Sequence, residues 1–152
     1  PYTTLFRSIG LSPLGAMGMT LFAVDLSVAS SQLPLSELMD IQTFMSLSPH
    51  WRIMADLVLL SLFAGIYSVP MYALIQQQSH HSECARIIAA NNIINALFMI
   101  ASALIAGAML GAGLNIPDVI FWTAVANAVV TLAVFVAEPA YLRRFAAWAQ
   151  GI

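Results

Sequence analysis

The sequence predicts an all-α polytopic membrane protein with four transmembrane helices, and three observations carry that prediction. Of its 152 residues, 61% are hydrophobic and only 8% are charged, whereas an ordinary soluble domain carries about 25% charged residues. The mean hydropathy is +0.87. The apolar residues also gather into four long stretches, at about 9–29, 51–76, 87–114 and 119–141. Each reaches the roughly 20 residues that an α-helix needs to cross a bilayer's hydrocarbon. Hydrocarbon offers the backbone no water to bond with, so such stretches must satisfy themselves as helices.

The charge inventory excludes other classes. Five basic residues, all arginine (Arg7, Arg52, Arg86, Arg143 and Arg144), stand against seven acidic ones for a net charge of −2. No basic patch is available to neutralise phosphates, so no nucleic-acid partner is expected. A single cysteine, Cys84, excludes an internal disulfide framework and a thiolate metal cluster.

Along the chain, Pro1-Tyr2-Thr3-Thr4-Leu5-Phe6-Arg7-Ser8 resembles an in-frame translation of a sequencing-library adapter, and residues 1–8 are set aside from the fold. The remainder reads as part of something longer. The first span, 9–29, carries Gly15 and Gly18, small residues that let a neighbouring helix approach, and Asp25 about one turn from its outer end. Residues 30–50 form the longest connection. There Leu35, Leu38, Met39, Ile41, Phe44 and Met45 recur at helical spacing among Glu37, Asp40 and Gln42, as in a short amphipathic helix lying in the interface.

The second span, 51–76, contains Pro70, which removes the backbone hydrogen bond to residue 66 and predicts a kink. Ser61, Ser68 and Tyr72 follow at spacings of seven and four, on one helical face, with Tyr67 beside them. The connection 77–86 is the most polar run in the chain. The third span, 87–114, places Asn91, Asn95 and Ser102 on one face, with Asn92 beside them, and Ala96, Ala103, Gly107 and Gly111 on the neighbouring face. Asn115-Ile116-Pro117-Asp118 forms a tight turn with proline as helix starter. The fourth span, 119–141, carries Thr123, Asn127 and Thr131 as a stripe that must face protein rather than lipid.

Orientation follows from arginine placement. Arg86, Arg143 and Arg144 fall on one side and Arg52 on the other, which puts the 77–86 loop and the C-terminus in the cytoplasm. Trp51 and Trp122 then lie near outer ends, and Tyr141 and Trp148 near the inner end, as interfacial aromatics should.

Polar side chains are costly inside a bilayer, so each is a candidate site. Asn91 and Asn95 offer amide donors and acceptors to a polar headgroup or to a neighbouring helix, and Tyr67, Ser68 and Tyr72 offer hydroxyls beside the proline. Asp25 is a candidate proton-coupling group; reaching headgroup water is its simpler role. His80, His81, Glu83 and Cys84 share one loop without a second ligand cluster elsewhere, so no metal and no cofactor is expected. No nucleophile or zinc-hydrolase motif is present, and the chain is not expected to be an enzyme.

Val69-Pro70-Met71-Tyr72-Ala73-Leu74-Ile75-Gln76, followed by Arg86-Ile87-Ile88-Ala89-Ala90-Asn91-Asn92-Ile93-Ile94-Asn95-Ala96-Leu97-Phe98-Met99, resembles major facilitator transporters of the lysophospholipid transporter type. In particular, the sequence is similar to the transporter domain that some bacteria fuse to a phospholipid acyltransferase and an acyl-ACP synthetase. Gly15-Ala16-Met17-Gly18-Met19 and Pro49-His50-Trp51-Arg52 fit the same pattern, and the resemblance covers about residues 9–148, leaving 149–152 as a tail.

The resemblance implies a twelve-helix fold of which these are the ninth to twelfth spans, with the preceding helices as missing partners. It implies that the second and third spans line a central cavity while the first and fourth are peripheral. The implied activity is movement of lysophospholipid across the bacterial cytoplasmic membrane, for reacylation, by alternating access. Two other readings stay open: an efflux transporter for small amphiphiles with the same fold, and a small four-helix membrane anchor or assembly subunit. A membrane-impermeant thiol reagent should leave Cys84 unlabelled on intact cells and label it after permeabilisation; labelling from outside would reverse the orientation.

Overall fold

The computed structural model describes residues 11–33, 39–79 and 82–137. Among the described residues five helices succeed one another: α1 Ser12–Ser31, α2 Ile41–Ser46, α3 Ser48–Gln78, α4 Cys84–Gly111 and α5 Ile116–Ala137. Among the described residues there is no strand. The four long helices, α1, α3, α4 and α5, are each long and apolar enough to cross a membrane. Pro1–Ser8, Leu35, Glu37, Leu38, His80, His81, Tyr141, Arg143, Arg144 and Trp148 lie outside the described residues.

The spans are where the apolar pattern puts them, but the helices overrun it. α3 starts three residues before the expected 51 and ends two beyond 76, while α4 and α5 each start three residues early. Hydropathy marks the hydrocarbon-facing part of a helix, whereas hydrogen bonding continues into the polar flanks. Arg86 and Ile87 donate to the Glu83 carbonyl at 2.9 and 3.0 Å, which carries α4 back into the polar loop.

At its other end α4 stops before the expected Leu114. The Gly113 N–H bonds Leu110 at 3.0 Å and the Leu114 N–H bonds Met109 at 3.1 Å. Gly113 sits at φ +94°, a left-handed conformation that suits glycine and closes the helix with its last carbonyls satisfied. α5 then begins with Pro117 in its first turn, where a missing N–H costs nothing. The Asp118 carboxylate accepts from the Asn115 N–H at 3.0 Å, one half of a capping box.

In the described part of the long connection, residues 39–50, a short helix precedes the next span. α2 spans Ile41–Ser46, with Asp40 as its N-cap accepting from the Thr43 N–H at 3.0 Å. Hydrogen bonding from Thr43, through its side chain and its backbone N–H, holds the Asp40 carboxyl below the usual carboxylate range. The cap therefore supports α2 above the ordinary carboxylate value and is lost as pH falls through the lowered one. α2 is anchored to the head of α3: His50 is buried, pairs its Nδ1 with the Phe44 carbonyl at 2.9 Å and stacks on the Phe44 ring at 4.2 Å. The Trp51 indole donates to the Met45 carbonyl at 2.9 Å.

α1 is the helix the others gather on. It packs antiparallel along both α3 and α5, while α4 meets α3 and α5 sparsely. The α1–α3 seam depends on Gly15 and Gly18. A Cβ at Gly15 would lie 2.7 Å from the Tyr67 backbone nitrogen, and one at Gly18 would enter the Phe63 ring. Phe22 stacks on Phe63 with centroids 5.4 Å apart.

The α1–α5 seam is closed by Ala124, which is buried, and by hydrogen bonds. Asn127 Nδ2 donates to Thr20 Oγ1 at 2.8 Å and to the Ala16 carbonyl at 3.2 Å, and Ser27 donates to the Pro117 carbonyl at 2.7 Å. Asn127 thus faces protein, as its place in an apolar span requires. Thr123 instead is exposed and bonds back to Val119 at 2.8 Å in its own helix.

The stripe on α4 is not used in the same way. Gly107 and Gly111 have open space around them, and the large apolar side chains beside Asn95 are bare, with Leu97 61%, Phe98 71% and Met99 72% exposed. Among the described helices α1 is the most enclosed and α4 the least.

Gly15→Val should therefore lower the stability of the detergent-solubilised chain by about 1–3 kcal/mol, the usual cost of overpacking a filled contact. Gly107→Ala should stay within about 1 kcal/mol of the parent. Thermal unfolding of the two variants side by side checks this.

Candidate functional site

Two polar groupings lie at opposite ends of α3. The first joins α3 to α4 near the expected cytoplasmic side. Asn91 and Asn95 are four residues apart and so share a face of α4. Their amides donate to the Tyr72 hydroxyl oxygen at 3.4 and 3.3 Å. Tyr72 remains 39% exposed, so its own O–H proton and both amide oxygens stay open to a further partner. At 1.5 Å per residue, Tyr72 lies about 9 Å from the end of α3, and Asn95 about 16 Å along α4. The group thus lies within about three turns of the connection between α3 and α4.

Tyr67 and Ser68 do not belong to this hydrogen-bonded group. Tyr67 sets its backbone against Gly15, as part of the α1–α3 seam, and Ser68 is half-buried one turn before Tyr72. Pro70 is buried and α3 continues through it. Ser61 and Ser102, expected on the same faces, are exposed and bond back to Leu57 and Met99 in their own helices.

The second grouping lies at the opposite end of α3, beside the C-terminal end of α1, on the expected outer side. Asp25 is not a free carboxylate. Arg52 grips it with two parallel hydrogen bonds, Nε to Oδ2 at 3.2 Å and Nη2 to Oδ1. A guanidinium fork suits a carboxylate held this way. Asp56, one turn along α3 from Arg52, is 3% exposed, and its Oδ2 has no hydrogen-bond partner.

Neither Arg52 nor Asp56 stood out as a site residue in the sequence, where Arg52 counted only toward the charge and the orientation. The signal available was their i, i+4 spacing, which puts them on one face, together with an acid at the matching end of an antiparallel neighbour.

Between these ends, α1, α3 and α5 enclose an apolar cleft of about 340 Å³, lined by residues including Leu26, Leu60, Ile120, Ala124 and Asn127. Among the described residues, no group of three His, Cys, Asp or Glu side chains is placed to hold a metal ion.

The fold and these groupings define a multi-pass membrane protein. No protein-family model, curated protein or solved structure matches the chain. A double-mutant cycle between Tyr72→Phe and Asn95→Ala should give a coupling of about 0.6 kcal/mol, typical of an interhelical hydrogen bond in a membrane. Unfolding in bicelles measures it, and a coupling of zero would dissolve the grouping.

Proposed function

We propose that the chain forms part of a major facilitator membrane transporter that moves lysophospholipid across the bacterial cytoplasmic membrane, with its C-terminus in the cytoplasm. The single observation that supports this reading is the Tyr72–Asn91–Asn95 constellation, a set of uncharged donors and acceptors spanning two helices at the headgroup boundary. A phosphate oxygen accepts from an amide N–H, and an ammonium or hydroxyl donates to an amide oxygen. The single acyl chain of the lipid would meanwhile stay against the bare apolar flank of α4. Transport by alternating access needs a second bundle to rock against this one, so the remaining helices are part of the proposal.

An efflux transporter for small amphiphiles would use the same constellation with looser headgroup demands. A four-helix anchor or assembly subunit is favoured by a different observation, the self-contained packing of α1 with α3 and α5 beside an uncovered α4.

Uptake of labelled lysophospholipid into proteoliposomes separates these readings. In the complete transporter, Asn91→Ala with Asn95→Ala should cut uptake about tenfold, the value of one strong hydrogen bond. Competition by non-lipid amphiphiles would favour efflux instead. The 152-residue chain alone should move no lipid, and saturable uptake by it would overturn the requirement for partner helices.

A further inference from the structure

The outer-end grouping poses a problem in charge and hydrogen bonding that one proton solves. Asp56 is buried one turn along α3 from Arg52, whose two hydrogen bonds both go to Asp25. Two carboxylates are both acceptors, and Asp56 Oδ2 is buried with no donor in range. With both acids ionised, Arg52 leaves the trio with a net charge of −1 inside two membrane-spanning helices. Isolated buried charge is costly there, and an unsatisfied buried oxygen adds to the cost.

We propose that Asp56 and Asp25 form a proton-binding site in which Asp56 is the neutral acid at pH 7, donating a hydrogen bond from its carboxyl to the ionised Asp25 that Arg52 holds. The proton turns the meeting of two acceptors into an O–H···O bond, supplies the orphaned oxygen with a role and brings the trio to zero net charge. The carboxyls divide the work: Asp25, fixed by the guanidinium fork, is the permanent anion, and Asp56 is the group that gains and loses the proton. This places the exchangeable proton on a residue other than Asp25, and the site stands whether or not the chain belongs to a transporter.

The surroundings of Asp56 are accounted for on each element packed against α3. α1 contributes Asp25, and α3 itself contributes Arg52. On the α2 side, Asp40 is engaged in capping α2, and His50 is engaged with Phe44. α4 carries its ionisable groups Cys84 and Arg86 at the opposite end of the hairpin, beside the turn that comes after Gln78.

The test is infrared difference spectroscopy on the full chain in lipid nanodiscs, titrated with acid and base in buffers with and without sodium. The wild type should show a protonated-carboxyl band at pH 7, and Asp56→Asn should remove it. Arg52→Gln should keep the band and move its loss at least about one pH unit higher, because a cation that favours the ionised pair is gone.

Asp56→Asn is nearly isosteric with the neutral acid, so it should keep the thermal stability of the parent at pH 7. It should also lose the fall in stability that the parent shows as pH rises and Asp56 is forced to ionise. Absence of a protonated-carboxyl band at pH 7 would overturn the proposal. So would a band untouched by Asp56→Asn, or a transition set by sodium rather than by pH. Should Asp56→Asn not fold, Asp25→Asn reads the same bond: it replaces the acceptor and should shift the Asp56 band, and an unshifted band would overturn the pairing.

Discussion

The close approach of α1 to α3 at Gly15 and Gly18 is the constraint on which the rest of the fold depends. With no side chain at either position, the backbone of Tyr67 and the ring of Phe63 come directly against α1, so the two helices have little freedom to slide. Register is then a matter of counting. From Gly15 to Asp25 is ten residues, about 15 Å, and from Tyr67 back to Asp56 is eleven, about 16 Å. The antiparallel seam therefore delivers Asp25 to the level of Asp56 and Arg52. The polar trio depends on two glycines at the far side of that seam.

Much of the architecture was legible because hydrocarbon permits so few solutions. Long apolar runs must be helices, and their number and order come from hydropathy. The ends were less legible, since a helix continues past the lipid boundary wherever its backbone can still pair, as it does from Glu83 into α4. The third span was also carried too far, because Leu114 is apolar while the stop is set by Gly113 just before it.

The polar sites divide in the same manner. Asn91 and Asn95 were visible as an i, i+4 pair and Tyr72 as a hydroxyl beside the proline, while their pairing across the two helices came from the structure. Arg52 and Asp56 needed the α1–α3 register, which no local pattern encodes. Small-residue stripes were ambiguous for a related reason. Gly15 and Gly18 are filled by a neighbour while Gly107 and Gly111 stand open, although all four satisfy the same compositional rule. A stripe states that a helix can be approached, and the partner's own shape decides whether it is.

Pro70 gives α3 two mechanical regimes. Its ring leaves the Ile66 carbonyl without the usual donor, and that weak point falls three residues beyond Tyr67, where α1 grips the helix. Everything before it is a stem clamped by the glycine contact and the arginine fork. Tyr72 rides on the tip beyond it, and α4 hangs from that tip through a short loop. A bend at this joint would carry Tyr72 and the amides bonded to it together, while the contacts with α1 hold the stem.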